Sequence, residues 1–167
     1  MIYSLQMLGR LYVPGIFVIS KTKGYLMAEF TERRRFKRYS VYCPLQYKAD
    51  GRIPREPSIS LDISEGGALI SVNRKLDDAA SLIIKMFLKN EDFFIRSRVV
   101  HIQRSSDKDP YSVGIEFLER TADFAMKFYE ELETIMFYQR HYGEEMERPI
   151  SLAEASMKWY RNSPAWV

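Results

Sequence analysis

Two short stretches carry side chains that could do chemistry together. The first, Arg33-Arg34-Arg35-Phe36-Lys37-Arg38, places five basic side chains in six positions. The second, Asp62-Ile63-Ser64-Glu65-Gly66-Gly67, offers a carboxylate, a hydroxyl and a pair of glycines. Arg34 and Arg38 stand four apart, so their guanidiniums on an extended or turning arm can grip a folded anion from two sides. Arginine suits that task because its planar fork pairs bidentately with phosphate and with the O6/N7 edge of guanine. Asp62 and Ser64, two apart on a strand, point to one face. A carboxylate only accepts, which fits the N1–H and N2–H edge of guanine, while a serine hydroxyl can donate to a phosphate or a ring acceptor. Gly67 has no Cβ, which allows a bend and a close approach to the backbone.

Each stretch alone has a plainer reading. The basic run can be a solvated arm, a nucleic-acid contact or a membrane-surface patch, and the second stretch can be a strand ending in a Gly turn. Charge placement separates these. The 167 residues hold 25 Lys/Arg against 22 Asp/Glu, a net charge of +3. Residues 1–39 hold eight of the basic side chains against two acidic ones, leaving 17 against 20 for the remainder. Charge confined to one run favours a small anionic ligand over a polyanion or a lipid surface, which call for a basic face. Single-stranded nucleic acid would also ask for exposed aromatics interleaved with basic residues across strands.

Other chemistries lack their residues. Cys43 is the sole cysteine of the sequence, so there is no disulfide framework and no cysteine metal cluster. It reads as a small buried apolar residue and fits a reducing, cytoplasmic compartment. His101, beside Val99 and Val100, reads as structural, and His141 lies near a helix end where a cation suits the dipole. Neither has a partner at catalytic or metal-binding spacing, and no P-loop is present. The expectation is a non-enzyme without metal or cofactor.

The elements around the two stretches are mainly strands. Val41–Asp50 alternates Val41, Cys43, Leu45 and Tyr47 on one face, with Pro44 hinting at an edge. Gly51–Ile59 reads as a loop, followed by strands at 58–64 and 68–72 around the Glu65-Gly66-Gly67 bend. Ser81–Lys89, a turn at Asn90-Glu91-Asp92, Phe93–Arg104 and Tyr111–Glu119 complete six short strands, which bury their faces best as a barrel or sandwich. From Thr121 the period changes. Phe124, Phe128, Leu132, Ile135 and Met136 mark one helix face up to a stop at Gly143, either capping the barrel or meeting a partner. Ser151 with Glu154 reads as a capping box opening a second helix, with Trp159 and Trp166 available to dock.

The text is thus divided into an extension (1–28), the strands with their arginine arm (29–120) and a helical segment (121–167). In the extension the longest apolar stretch, Leu11–Ser20, is about half of a membrane span and lacks signal-peptide flanks. No membrane span is expected, and an alternative start at Met27 would open the chain as MAEFTERRRF.

The Arg34/Arg38 pair is similar to the RxxxR motif of PilZ domains, and Asp62, Ser64 and Gly67 match that family's [D/N]xSxxG motif. Phe36 within the arm and Ser112–Phe117 (SVGIEF) also resemble the family, over roughly residues 32–120. The resemblance implies a bacterial protein with a six-stranded antiparallel PilZ-like β-barrel followed by α-helices. It also implies binding of cyclic di-GMP through Arg34, Arg38, Asp62, Ser64 and Gly67. Arg33, Arg35 and Gly66 are supplementary candidates. Asp77-Asp78-Ala79-Ala80 departs from the pattern, since the family often has a glycine there. The expected function is a receptor whose arm changes conformation on binding and signals to a partner protein. The alternative is a PilZ-fold adaptor that ignores the nucleotide and binds through the Phe124/Phe128/Leu132 stripe.

Overall fold

A computed structural model describes residues 35–49 and 55–161. Arg33, Arg34, the extension with Met27, and Trp166 lie outside the described residues. Six antiparallel strands form: β1 (Pro44–Ala49), β2 (Glu56–Ser64), β3 (Gly67–Val72), β4 (Ser81–Leu88), β5 (Glu91–Gln103) and β6 (Tyr111–Phe117). They close into a barrel in the order β1-β2-β3-β6-β5-β4. Alternate residues such as Tyr47, Ile70, Ile84, Ile95 and Val113 fill the interior, as the period of two requires. Closure gives every strand two neighbours, so no edge is left to pair elsewhere. Pro44 therefore marks no edge. It is the first residue of its strand, where a missing N–H is tolerated.

Several boundaries differ from the sequence reading, each for a local reason. Val41 and Cys43 point into the core but precede β1, because a side chain splints them to β2: Ser60 Oγ accepts from Cys43 N (2.8 Å) and donates to Val41 O (2.6 Å). β2 begins at Glu56 and includes Pro57 opposite Gln46, so the expected loop ends earlier. The β4–β5 turn is Lys89-Asn90, both at positive φ (48° and 67°), which is the two-residue turn that matches strand twist. Ala79 sits at φ 60° in the turn that Ala80 N closes on Asp77 O.

Two helices follow, α1 (Ala122–Glu145) and α2 (Leu152–Arg161). Thr121 caps α1 by accepting from Phe124 N at 3.0 Å. Phe124, Phe128, Leu132 and Ile135 are buried over the barrel end where β2, β4 and β6 finish, with Phe124 edge-on to Phe117 and Phe93. That stripe is interior, so the adaptor reading cannot use it; Met136, one step beyond, faces solvent. Gly143 does not stop α1. It lies in the last turn because the returning chain presses on it, and a Cβ there would stand 3.2 Å from Arg148 O.

Ser151 caps α2 through Glu154 N (3.0 Å), but the Glu154 carboxylate pairs with Arg148 (2.6 Å) instead of closing the box. Buried Glu131 ties the layers together. It accepts from Trp159 Nε1 at 2.9 Å and from Lys89 N at 3.2 Å. Barrel and helices form one compact unit beginning at Phe36. Among the described residues, no helix is long and apolar enough to cross a membrane.

Candidate functional site

An irregularity in β2 aims the acidic side chain outward. Ser60 pairs with Ile70 and Asp62 with Leu69, so Leu61 is an extra residue in the ladder, a β-bulge. Ser60 points inward before it and Ile63 points inward after it, three residues on rather than two or four. The bulge resets the alternation, and Asp62 is left on the outer face.

The arm is pinned beside that point. Tyr39 N donates to Ile63 O (2.8 Å) and Ile63 N to Tyr39 O (2.9 Å), a two-bond bridge outside the strands. Tyr39 leans edge-on to Phe128 of α1 at 6.4 Å, which leaves Arg38 on the solvent side. There the Arg38 guanidinium donates to Asp62 Oδ1 at 3.3 Å, with 39% and 25% of the two side chains exposed. A pair this open to water is worth at most about 1 kcal/mol, so either member can change partner at little cost.

The glycines and the serine build the β2–β3 turn. Ser64 Oγ donates to Gly67 O (3.1 Å) and accepts from Gly66 N (3.3 Å), and the residue is buried. A hydroxyl has one proton, and here it is donated within the turn. At Gly67 the β6 backbone runs close, and a Cβ would stand 2.2 Å from Ile115 O. At Gly66 a Cβ would stand 2.4 Å from Phe36 Cδ2, so the arm's aromatic ring packs against the turn itself. Arg35 is described and exposed.

A family profile described as PilZ domain matches residues 32–136, well over half of the sequence. The chain belongs to the PilZ domain family. Similar solved structures include the Bacillus subtilis inhibitor of motility MotI/DgrA, at 16% identity and a TM-score of 0.53 over 73% of this chain and 66% of that one. A K. pneumonia MrkH–c-di-GMP complex is similar at 13% identity and a TM-score of 0.52, over 75% and 66%. The chain thus spans just under two thirds of either protein's length, and at these identities the likeness is one of fold. Curated protein sequences give no match.

Two features of this PilZ domain escaped sequence reasoning. Glu65, inside the turn motif, accepts from the Tyr129 hydroxyl at 3.2 Å, joining the turn to α1. Partial burial, and then that carboxylate, raise the Tyr129 pKa above the ordinary tyrosine value. Arg120, just after β6, lies over the Phe36 ring with its guanidinium carbon 4.7 Å from the centroid. The i+4 spacing from the Phe124 stripe places Tyr129 one step off the buried face, a usable sequence signal. Nothing in the sequence links Arg120 to residue 36.

Proposed function

We propose that the protein is a cyclic di-GMP receptor. The observation that carries this reading is the placement of Arg38 beside Asp62 on the outer barrel face, next to the Gly66-Gly67 turn. One basic and one acidic group side by side suit a ligand that has both phosphates and guanine edges. A phosphate or guanine O6/N7 takes the Arg38 fork, and freed Asp62 accepts from guanine N1–H and N2–H. Exchanging an exposed ion pair for two such contacts is favourable because the pair itself is weak while charge-assisted bonds are worth more. PilZ membership supports the reading, and MrkH, of the same fold, has been solved with c-di-GMP.

Arg34, outside the described residues, completes the grip in this proposal, with Arg33 and Arg35 as supplementary donors. Gly66 and Gly67 hold the turn in shape, and Ser64 contributes by fixing it. The arm changes conformation on binding while Tyr39 stays bridged to Ile63. The change reaches a protein partner through α1, whose outer face carries exposed Met126, Tyr129, Met136 and Phe137 and touches the turn through Glu65. The protein acts in the cytoplasm, where it needs neither an enzymatic activity nor a cofactor.

Calorimetry with cyclic di-GMP tests this. Wild type binds, and Arg34→Ala, Arg38→Ala and Asp62→Ala each lose roughly tenfold or more, the worth of a charge-assisted bond. Equal binding by all four rejects the site. The same exposed α1 face favours a second reading, an adaptor insensitive to the nucleotide, and a flat titration by folded wild type selects it.

A further inference from the structure

Arg120, just past the end of β6, has a position that the arginines of β5 do not share. Arg96 and Arg98 are neutralised across the β5–β6 ladder by Glu119 and Glu116. Arg120, exposed and next in sequence after Glu119, has neither a carboxylate partner nor a hydrogen-bond acceptor among the described residues. What holds it is the Phe36 ring, 4.7 Å away, and that ring in turn packs on Gly66. An arginine stacked on an aromatic face uses its π surface for that contact and keeps its in-plane N–H donors for something else. Those donors stand beside the β2–β3 turn, held there by a ring of the arm that also carries Arg38.

We infer that Arg120 is a further ligand-binding residue: stacked on Phe36, it offers its guanidinium edge to a phosphate of the cyclic dinucleotide. This rests on the cyclic di-GMP reading and adds a barrel-borne donor to the arm's arginines. Phe36 then has a definite task. It spans Gly66 and Arg120, so arm, turn and third guanidinium share one side chain, and a larger residue at position 66 would unseat all three. Arginine at 120 supplies the stack and the fork together, whereas lysine would keep the charge that meets the phosphate and give up only the fork.

Calorimetry on the full chain with cyclic di-GMP, at low and at near-physiological salt, separates this from a packing role. Arg120→Ala weakens binding roughly tenfold, the value of one charge-assisted contact. Arg120→Lys keeps most of the affinity, the gap between wild type and Arg120→Ala narrows as salt rises, and all three melt together. Binding by Arg120→Ala within twofold of wild type overturns the inference while leaving the receptor reading intact. So does an equal loss in Arg120→Ala and Arg120→Lys with unchanged salt dependence, which would mean that the residue only steadies Phe36. A folded wild type that does not bind removes the receptor reading, and this inference with it.

Discussion

Replacing Gly67 by alanine should cost the barrel far more than replacing its neighbour Gly66. Gly67 pairs with Glu116 across β3–β6, and a Cβ there would meet Ile115 O at 2.2 Å. Carbon-to-carbonyl-oxygen contacts are comfortable at about 3.3 Å, so roughly 1 Å must open between two backbones. Neither strand can yield alone, because in a closed barrel β3 is also hydrogen-bonded to β2 and β6 to β5. Overpacking of this kind costs about 1–3 kcal/mol, and with backbone as the obstacle we expect the upper end. At an m-value of about 1.5–2 kcal/mol/M in urea, the unfolding midpoint falls by about 1.5–2 M. Gly66→Ala meets the Phe36 ring at 2.4 Å, a side chain that can swing aside. Its midpoint should fall by less than about 0.5 M at the same m-value. Urea titrations followed by far-UV dichroism decide the matter; equal shifts for the two variants would refute the assignment of the Gly67 obstacle to the β6 backbone.

Ala79 holds φ 60°, where a Cβ is penalised, so Ala79→Gly should raise stability by about 0.5–1 kcal/mol in thermal unfolding; a loss would show that the turn is not left-handed. Glu131→Ala strips the half-buried Lys89 amide and Trp159 indole of their acceptor and should cost about 1–3 kcal/mol, with an accompanying shift in tryptophan fluorescence; unchanged melting would contradict the tie between layers. Burial pushes the Cys43 thiol up to about 12 from 9.0, and burial with the Glu56 carboxylate pushes Tyr47 up to about 12 from 10.0. Both groups are neutral when protonated and ionise more easily unfolded. Their contribution is therefore complete below pH 9 and is lost as pH rises towards 12, by at most about 1.4 kcal/mol per pH unit for each group. Between pH 9 and 10 the decline belongs to Cys43, so Cys43→Ala should flatten it there; an identical slope would place the thiol in contact with water.

The barrel was legible because its information is periodic. The alternation of Val41, Cys43, Leu45 and Tyr47, the apolar run at 81–89 and the four-residue steps of Phe124, Phe128 and Leu132 each report a buried face directly. What escaped was aperiodic. The Leu61 bulge, the Ser60 splint and the left-handed pair at Lys89-Asn90 each depend on a partner strand that local text does not name. At the site, the types and spacing of Arg38 and Asp62 foretold their meeting, since both belong to compact motifs. Ser64 and Gly67, named by the same text for ligand contact, also answer to the turn and to β6 through the hydroxyl and the missing Cβ. Arg120 was invisible because its significance lies in a ring 84 positions away.

The extra residue in β2 carries a lesson for anyone moving this site to another scaffold. Copying Ser60 through Gly67 onto a strand that runs without a bulge would rotate the acid into the hydrophobic interior and turn Ile63 out to water, since a one-residue change of phase exchanges the two faces of a strand. By the same token, deleting Leu61 from this chain would leave Ser60 and Ile63 two apart on a regular ladder, so Asp62 should stay on the outer face. A pattern search would score the unbulged copy as intact, although its acid had been turned into the core.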